Sequence, residues 1–242
     1  MMYHKTVALN RTLHADLTIS PSPNRFRFAA DLLTVMLATS EFYDASRQYP
    51  IVFTISPEKR VQCVALLGFQ EGENLFVDKD GQWDGRYIPA YLRRYPFITT
   101  DENTEGKATV CFDETFDGFN RQGGTPLFRN GEPSEKLAEI QSFLQNYLLL
   151  LKQSWLFGDM LLEKGLLREI SATANLVNGQ MYGLSGIYVV DEKKLSLLSD
   201  DEVTTMFRDG SLPLVYAHLL SLRNLPELAD RKGTRNVRQE MV

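Results

Sequence analysis

From Ser134 onward, Leu137, Ile140, Leu144, Tyr147, Leu148, Leu151 and Trp155 recur at spacings of three and four, which places them on one face of an α-helix. Ser134 can cap the free amides at the start of that helix. A helix of this length has to bury its stripe, so the rest of the chain must provide a surface for it. Leu149, Leu150 and Leu156 widen the stripe, which predicts contact with two layers or with another chain, a central helix being the commoner case. The most lipid-like stretch, residues 143 to 162, is interrupted by Gln145, Asn146, Lys152, Gln153 and Asp159. Together these are too costly for a membrane span of about 20 residues.

The partner surface reads as β-structure. The runs IVFTI (51–55) and VQCVALLGF (61–69) flank the polar SPEKR and predict a hairpin. Ahead of them, Ser40 can cap a short helix that ends before Pro50. Asp80-Gly81 marks a turn, and Pro89 suits the first turn of a short helix. Strands are predicted at 97–100 and 108–112, followed by a Gly-rich stretch, 113 to 131, without apolar period and expected as a mobile loop. The runs 170–177 and 181–190 flank Asn178-Gly179, a strong hairpin signal. Asp191 can cap a short helix, Ser199 and Glu202 spell a capping box, and Val215, Leu219 and Leu222 share a stripe in the last apolar element. Beyond 230, Arg231, Lys232, Arg235 and Arg238 have little to bury, which predicts a basic flexible tail over 231–242. The pattern as a whole is α+β: a largely antiparallel sheet with hairpins, a long central helix and C-terminal helices. Residues 1–230 read as a single domain, with two lobes divided near 132 as the alternative.

Composition narrows the function classes. The 242 residues are 43% hydrophobic and 24% charged, ordinary values for a globular chain. Lys plus Arg number 26 against 31 Asp plus Glu, a net charge of −5, so a nucleic-acid partner is not expected. The N-terminal residues alternate polar with apolar and offer no secretory core, which predicts a cytoplasmic protein, reaching a surface only by a non-standard export route. Cys63 and Cys111 stand apart in apolar contexts and read as core thiols rather than a disulfide framework.

His4, His14 and His218 are too scattered to suggest a metal site, and neither a P-loop nor a dinucleotide fingerprint occurs, so no metal or cofactor is expected. Gly183-Leu184-Ser185-Gly186 approaches a nucleophile elbow with its second glycine one place early, so Ser185 reads as a strand residue. Asp78-Lys79-Asp80-Gly81 lacks the glycine and glutamate positions of a calcium loop and reads as a β-turn. Asp113, Glu114 and Asp117 suit either an acid/base role or solvated loop positions. His218, beside an apolar stripe, is open to a structural or a site role. The strongest binding constellation is Trp83, Tyr87, Tyr91, Arg93, Arg94 and Tyr95. Aromatic faces with guanidinium forks can hold an extended chain or a carboxylate, although a half-buried helix edge looks the same.

The strings YPIVFT (49–54), VALLGF with EGENLFVD (64–78) and YIPAYLRRYPF (87–97) resemble the bacterial SapC family. The likeness resumes with TPLFRNGEPSEKL (125–137), GIYVVDEKKL (186–195) and LVYAHLLSLRNLPELA (214–229), so it covers most of the chain from about residue 20 to 230. The resemblance implies a link to the paracrystalline surface-layer locus for which the family is named, and it brings no catalytic residues to carry over. The peptide-transport permease of the same name is a different protein, which the lack of spanning segments here excludes. The leading expectation is a non-enzymatic binding or assembly protein holding a peptide-like or protein partner at Trp83, Tyr87, Tyr91, Arg93, Arg94, Tyr95 and His218. The alternative is an enzyme with an unfamiliar site drawn from Asp113, Asp117, Arg93 and His218.

Overall fold

The computed structural model describes residues 2–100, 109–175 and 181–240. The strands are β1 (Thr6–Ala8), β2 (Thr18–Ile19), β3 (Thr34–Met36), β4 (Ile51–Ile55), β5 (Val61–Leu66), β6 (Phe97–Thr99) and β7 (Val110–Asp113). They continue with β8 (Phe119–Asn120), β9 (Thr125–Pro126), β10 (Phe128–Arg129), β11 (Glu132–Pro133), β12 (Leu167–Asn175) and β13 (Met181–Val190). The helices are α1 (Phe42–Ala45), α2 (Ala90–Arg93), α3 (Glu135–Glu163), α4 (Glu192–Leu195), α5 (Asp200–Arg208), α6 (Ser211–Ser221) and α7 (Asn224–Glu240). The class is α+β, with antiparallel sheets, a long central helix and helices at the C-terminal end.

Five strands form the main sheet in the order β12-β13-β4-β5-β3. The expected β4–β5 hairpin forms, with Phe53 opposite Cys63, and it closes through Ser56 and Arg60. Strands β12 and β13 pair from Leu167↔Val190 to Asn175↔Met181, while the Asn178-Gly179 turn between them lies outside the described residues. Two smaller sheets, β1-β7-β6 and β8-β2-β9, lie at the other end of the chain's central helix.

That helix, α3, threads three apolar clusters. Leu137 and Leu144 pack with Leu17, Phe97, Phe112 and Leu127. Tyr147 and Leu151 pack with Ala90. Phe157 and Leu161 join the largest core, with Ile51, Phe53, Leu66, Val189 and Val215. Ser134 caps the helix as expected, accepting from the Leu137 amide at 3.2 Å. Gly158 lets α3 approach β5: a Cβ there would meet Val61 Cβ at 2.8 Å and its carbonyl oxygen at 3.1 Å. Leu149 and Leu156, which widen the stripe, stay exposed. Among the described residues no helix is long and apolar enough to cross a membrane.

Three local expectations change. The stretch 113–131 is not a featureless loop: it carries β8, β9 and β10, with β2 inserted between the first two. Strands of two residues carry no readable period, so only their pairing reveals them, that of β8 and β9 with the distant β2 and that of β10 with the neighbouring β11. Around residue 40 the chain makes a short 3-10 turn, Thr39–Glu41, leading into α1, and the Glu41 carboxylate accepts from the Ala38 amide at 2.9 Å in place of a Ser40 cap. The segment expected as a flexible tail from 231 is instead helix α7 as far as Glu240. Lys232 is buried there against the equally buried Glu73, and Arg235 donates to the carbonyls of Asn74 (2.7 Å) and Val77 (2.6 Å).

Candidate binding cleft

The residues from 83 to 95 do not form one face; the backbone distributes them among three surroundings. Trp83 pairs with Val77 in an isolated β-bridge and stacks on Phe76, with ring centres 5.7 Å apart. Its indole N–H donates to the Tyr49 hydroxyl and the Tyr87 carbonyl, each at 3.1 Å. The turn that follows is drawn tightly over the indole edge: a Cβ on Gly85 would meet Gln48 Nε2 at 2.5 Å and Trp83 Nε1 at 2.6 Å. Gln48 fixes that turn from below, its side-chain oxygen accepting from the amides of Arg86 (2.8 Å) and Tyr87 (3.2 Å). The Tyr87 hydroxyl reaches the buried Glu41 carboxylate at 2.7 Å, and burial followed by that carboxylate pushes the phenol pKa up.

Beside this turn opens a cleft of about 770 Å³, lined by Trp83 and Tyr87, by Arg47, Arg86 and Arg231, and by Asp44, Gln48, Asp84, Gly85 and Glu227. Helix α7 forms one wall. Its Arg231 pairs with Asp84 at 2.8 Å and lies over the Phe76 ring at 4.5 Å, a contact that holds the guanidinium between an acid and an aromatic face. A second depression of about 1140 Å³ adjoins it, sharing Asp84, Glu227 and Arg231.

The other expected site residues lie elsewhere. Tyr91 and Arg94 turn toward Tyr3 and Tyr147, with the Arg94 guanidinium 4.3 Å from the Tyr91 ring centre. Arg93 is exposed, donates to the Ile88 carbonyl at 3.0 Å and covers Phe143. Tyr95 stacks on Phe28, with ring centres 3.8 Å apart, and lines a smaller hollow of about 250 Å³ with His4 and Asp117. His218 is fully buried in α6 and spans two strands: Nε2 accepts from the Val190 amide at 3.1 Å, and Nδ1 faces the Ile51 carbonyl at 2.8 Å. Because β4 and β13 pair at Phe53↔Tyr188, the next rung would join Ile51 to Val190, and the imidazole occupies that rung. Burial lowers its pKa to about 4.

Asp113 is buried and accepts from the amides of His4 (2.8 Å), Lys5 (3.1 Å) and Thr115 (3.1 Å) and from the Thr115 hydroxyl (2.8 Å). Burial acts to raise its pKa, but these donors outweigh it and hold the carboxyl below the usual range. It ties the N-terminal strand to β7 and is saturated by that work. Cys63 and Cys111 are buried and unpaired, with burial pushing both thiols up. Among the described residues no group of three or more His, Cys, Asp or Glu could hold a metal ion.

Arg47, Gln48 and Glu227 complete the cleft without any signal in the sequence, because only the docking of α7 and of the turn after α1 beside the 83–87 turn assembles them. The fold and cleft thus describe an α+β protein with an aromatic-floored, arginine-rimmed groove. The family model for SapC matches residues 9–228, and the chain belongs to the SapC family. No curated protein and no solved structure matches it.

Proposed function

We propose that this SapC-family protein is a binding or assembly protein that holds a peptide-like segment of a partner in the cleft between the 83–87 turn and α7. The observation that carries the reading is the pairing of a fixed aromatic floor, Trp83 and Tyr87, with a rim of three guanidinium groups, Arg47, Arg86 and Arg231. The polar edge of Trp83 is spent inside the protein, so what it can offer a ligand is apolar surface. Arginine forks beside it suit the carbonyl and carboxylate groups of an extended chain, and the acids Asp44 and Glu227 suit its basic residues. Under this reading a surface-layer subunit, which the family resemblance implies, is the first partner to try. The test is affinity capture from an extract of the cells that make the protein, comparing the parent with Arg47→Ala plus Arg86→Ala. Proteins retained by the parent and lost from the double variant, identified by mass spectrometry, support the proposal. Identical captured sets overturn it.

A further inference from the structure

Two buried side-chain polar atoms have no hydrogen-bond partner among the described residues, Arg94 Nε and the Tyr147 hydroxyl, and they belong to neighbouring side chains. Folded proteins leave few such groups, and each asks for the partner that would satisfy it. Both atoms are closed to solvent, and Tyr147 is 2% exposed as a residue, whereas Arg94 as a residue is only half-buried, so the accessible part of the pair belongs to the rest of the Arg94 side chain.

The surroundings of Arg94 say what that partner is. Its guanidinium carbon lies 4.3 Å from the Tyr91 ring centre, 5.6 Å from that of Tyr147 and 5.8 Å from that of Tyr3. Contacts with aromatic rings leave a guanidinium its N–H donors to direct at an acceptor. No carboxylate of the described residues forms an ion pair with Arg94. The nearby acid, Glu41, is committed to Tyr87 and to the amides of Ala38 and Ala90. Nor is the Tyr3 hydroxyl free, since it donates to the Phe97 carbonyl at 2.8 Å. One permanent positive charge, one neutral phenol donor and aromatic walls match a monoanion with a carbon stem, rather than a dianionic phosphate.

We propose that Arg94 and Tyr147 form a seat for a ligand carboxylate, with Arg94 donating through Nε and a terminal nitrogen and Tyr147 donating through its hydroxyl. The ligand's carbon stem lies between Tyr3 and Tyr91. The seat shares no side chain with the Trp83–Arg231 cleft, so either can fail while the other stands.

The test is a titration of the full-length, nitrogen-15-labelled protein followed at the Arg94 Nε–H resonance, which is assigned by its loss in Arg94→Lys. The probes are acetate, N-acetylalanine, N-acetylalanine amide and inorganic phosphate. Both carboxylates should shift the resonance downfield and saturate, and the amide should do neither. Tighter binding of N-acetylalanine than of acetate assigns the seat to peptide termini, and the reverse order assigns it to small acids. Tyr147→Phe, which removes a hydroxyl without a partner among the described residues, should keep or raise the melting temperature while weakening carboxylate binding about tenfold. Absence of saturation with both carboxylates, phosphate binding as tightly as either, or undiminished binding by Tyr147→Phe would overturn the proposal. So would a lowered melting temperature for that variant, which would show the hydroxyl already satisfied in the free protein.

Discussion

His218, expected either as a structural histidine or as part of a site, is taken up entirely inside the fold. A neutral imidazole has one donor and one acceptor, and here they replace one rung of a sheet, bridging the Val190 amide and the Ile51 carbonyl. The fall in its pKa from 6.5 to about 4 means that the unfolded chain binds a proton more readily than the folded one. The stabilisation is therefore complete above about pH 6.5 and is lost as pH falls toward 4, an effect of roughly 3 kcal/mol. The urea midpoint should drop across that window in the parent, and His218→Leu, though less stable at every pH for want of the bridge, should lose the slope. A parallel slope in the variant would mean that other groups govern the acid limb. Composition made a buried histidine in an apolar helix foreseeable. The identity of its partners was not, because Ile51 stands 167 residues away and Val190 in another strand. Likewise Trp83 and Tyr87 stand out in the sequence as aromatic candidates, whereas Gln48, which pins the turn that carries them, has no local mark of its role.

Among the elements, those with local rules were the most legible. Ser134, Asp191 and Ser199 cap the helices expected of them, and the two apolar runs on either side of SPEKR pair as the β4–β5 hairpin. Ser134→Ala should cost about 1 kcal/mol in a denaturant melt, the usual loss for an N-cap oxygen. Helix α7 was illegible for the opposite reason: its cations find their partners far back in the chain, with Lys232 lying 159 residues from Glu73. Removing one member of such a buried pair strands the other. Lys232→Ala should therefore lower stability by about 3–5 kcal/mol. Lys232→Met combined with Glu73→Gln, which retains an acceptor for the Phe69 amide, should recover most of that loss. The comparison is made by urea midpoints of the parent, the single variant and the double variant. Equal losses in both variants would show that the ion pair itself, and not a stranded charge, accounts for the cost, whereas small losses in both would show that α7 is held mainly by its other contacts, Arg231 on Asp84 and Arg235 on two carbonyls.

At the scale of the molecule, the sequence announced the long helix but not that it would run through three separate clusters. Its apolar positions are legible by period; their partners depend on which loops fold back to meet them. The approach is tight at Gly158, where added bulk meets Val61 and its backbone. Alanine is the better helix former by about 1 kcal/mol, yet Gly158→Ala should destabilise the protein by about 1–3 kcal/mol in a thermal melt, because the helix would have to lift from β5. A raised melting temperature would show that α3 can shift without loss. Tyr147 stands between the two ends of this helix, about 15 Å from Leu137 and about 20 Å from Leu161 at 1.5 Å per residue. A beam clamped at both ends aims whatever is mounted between the clamps, so the bearing of that phenol is set jointly from two directions, and slackening either anchorage blurs it.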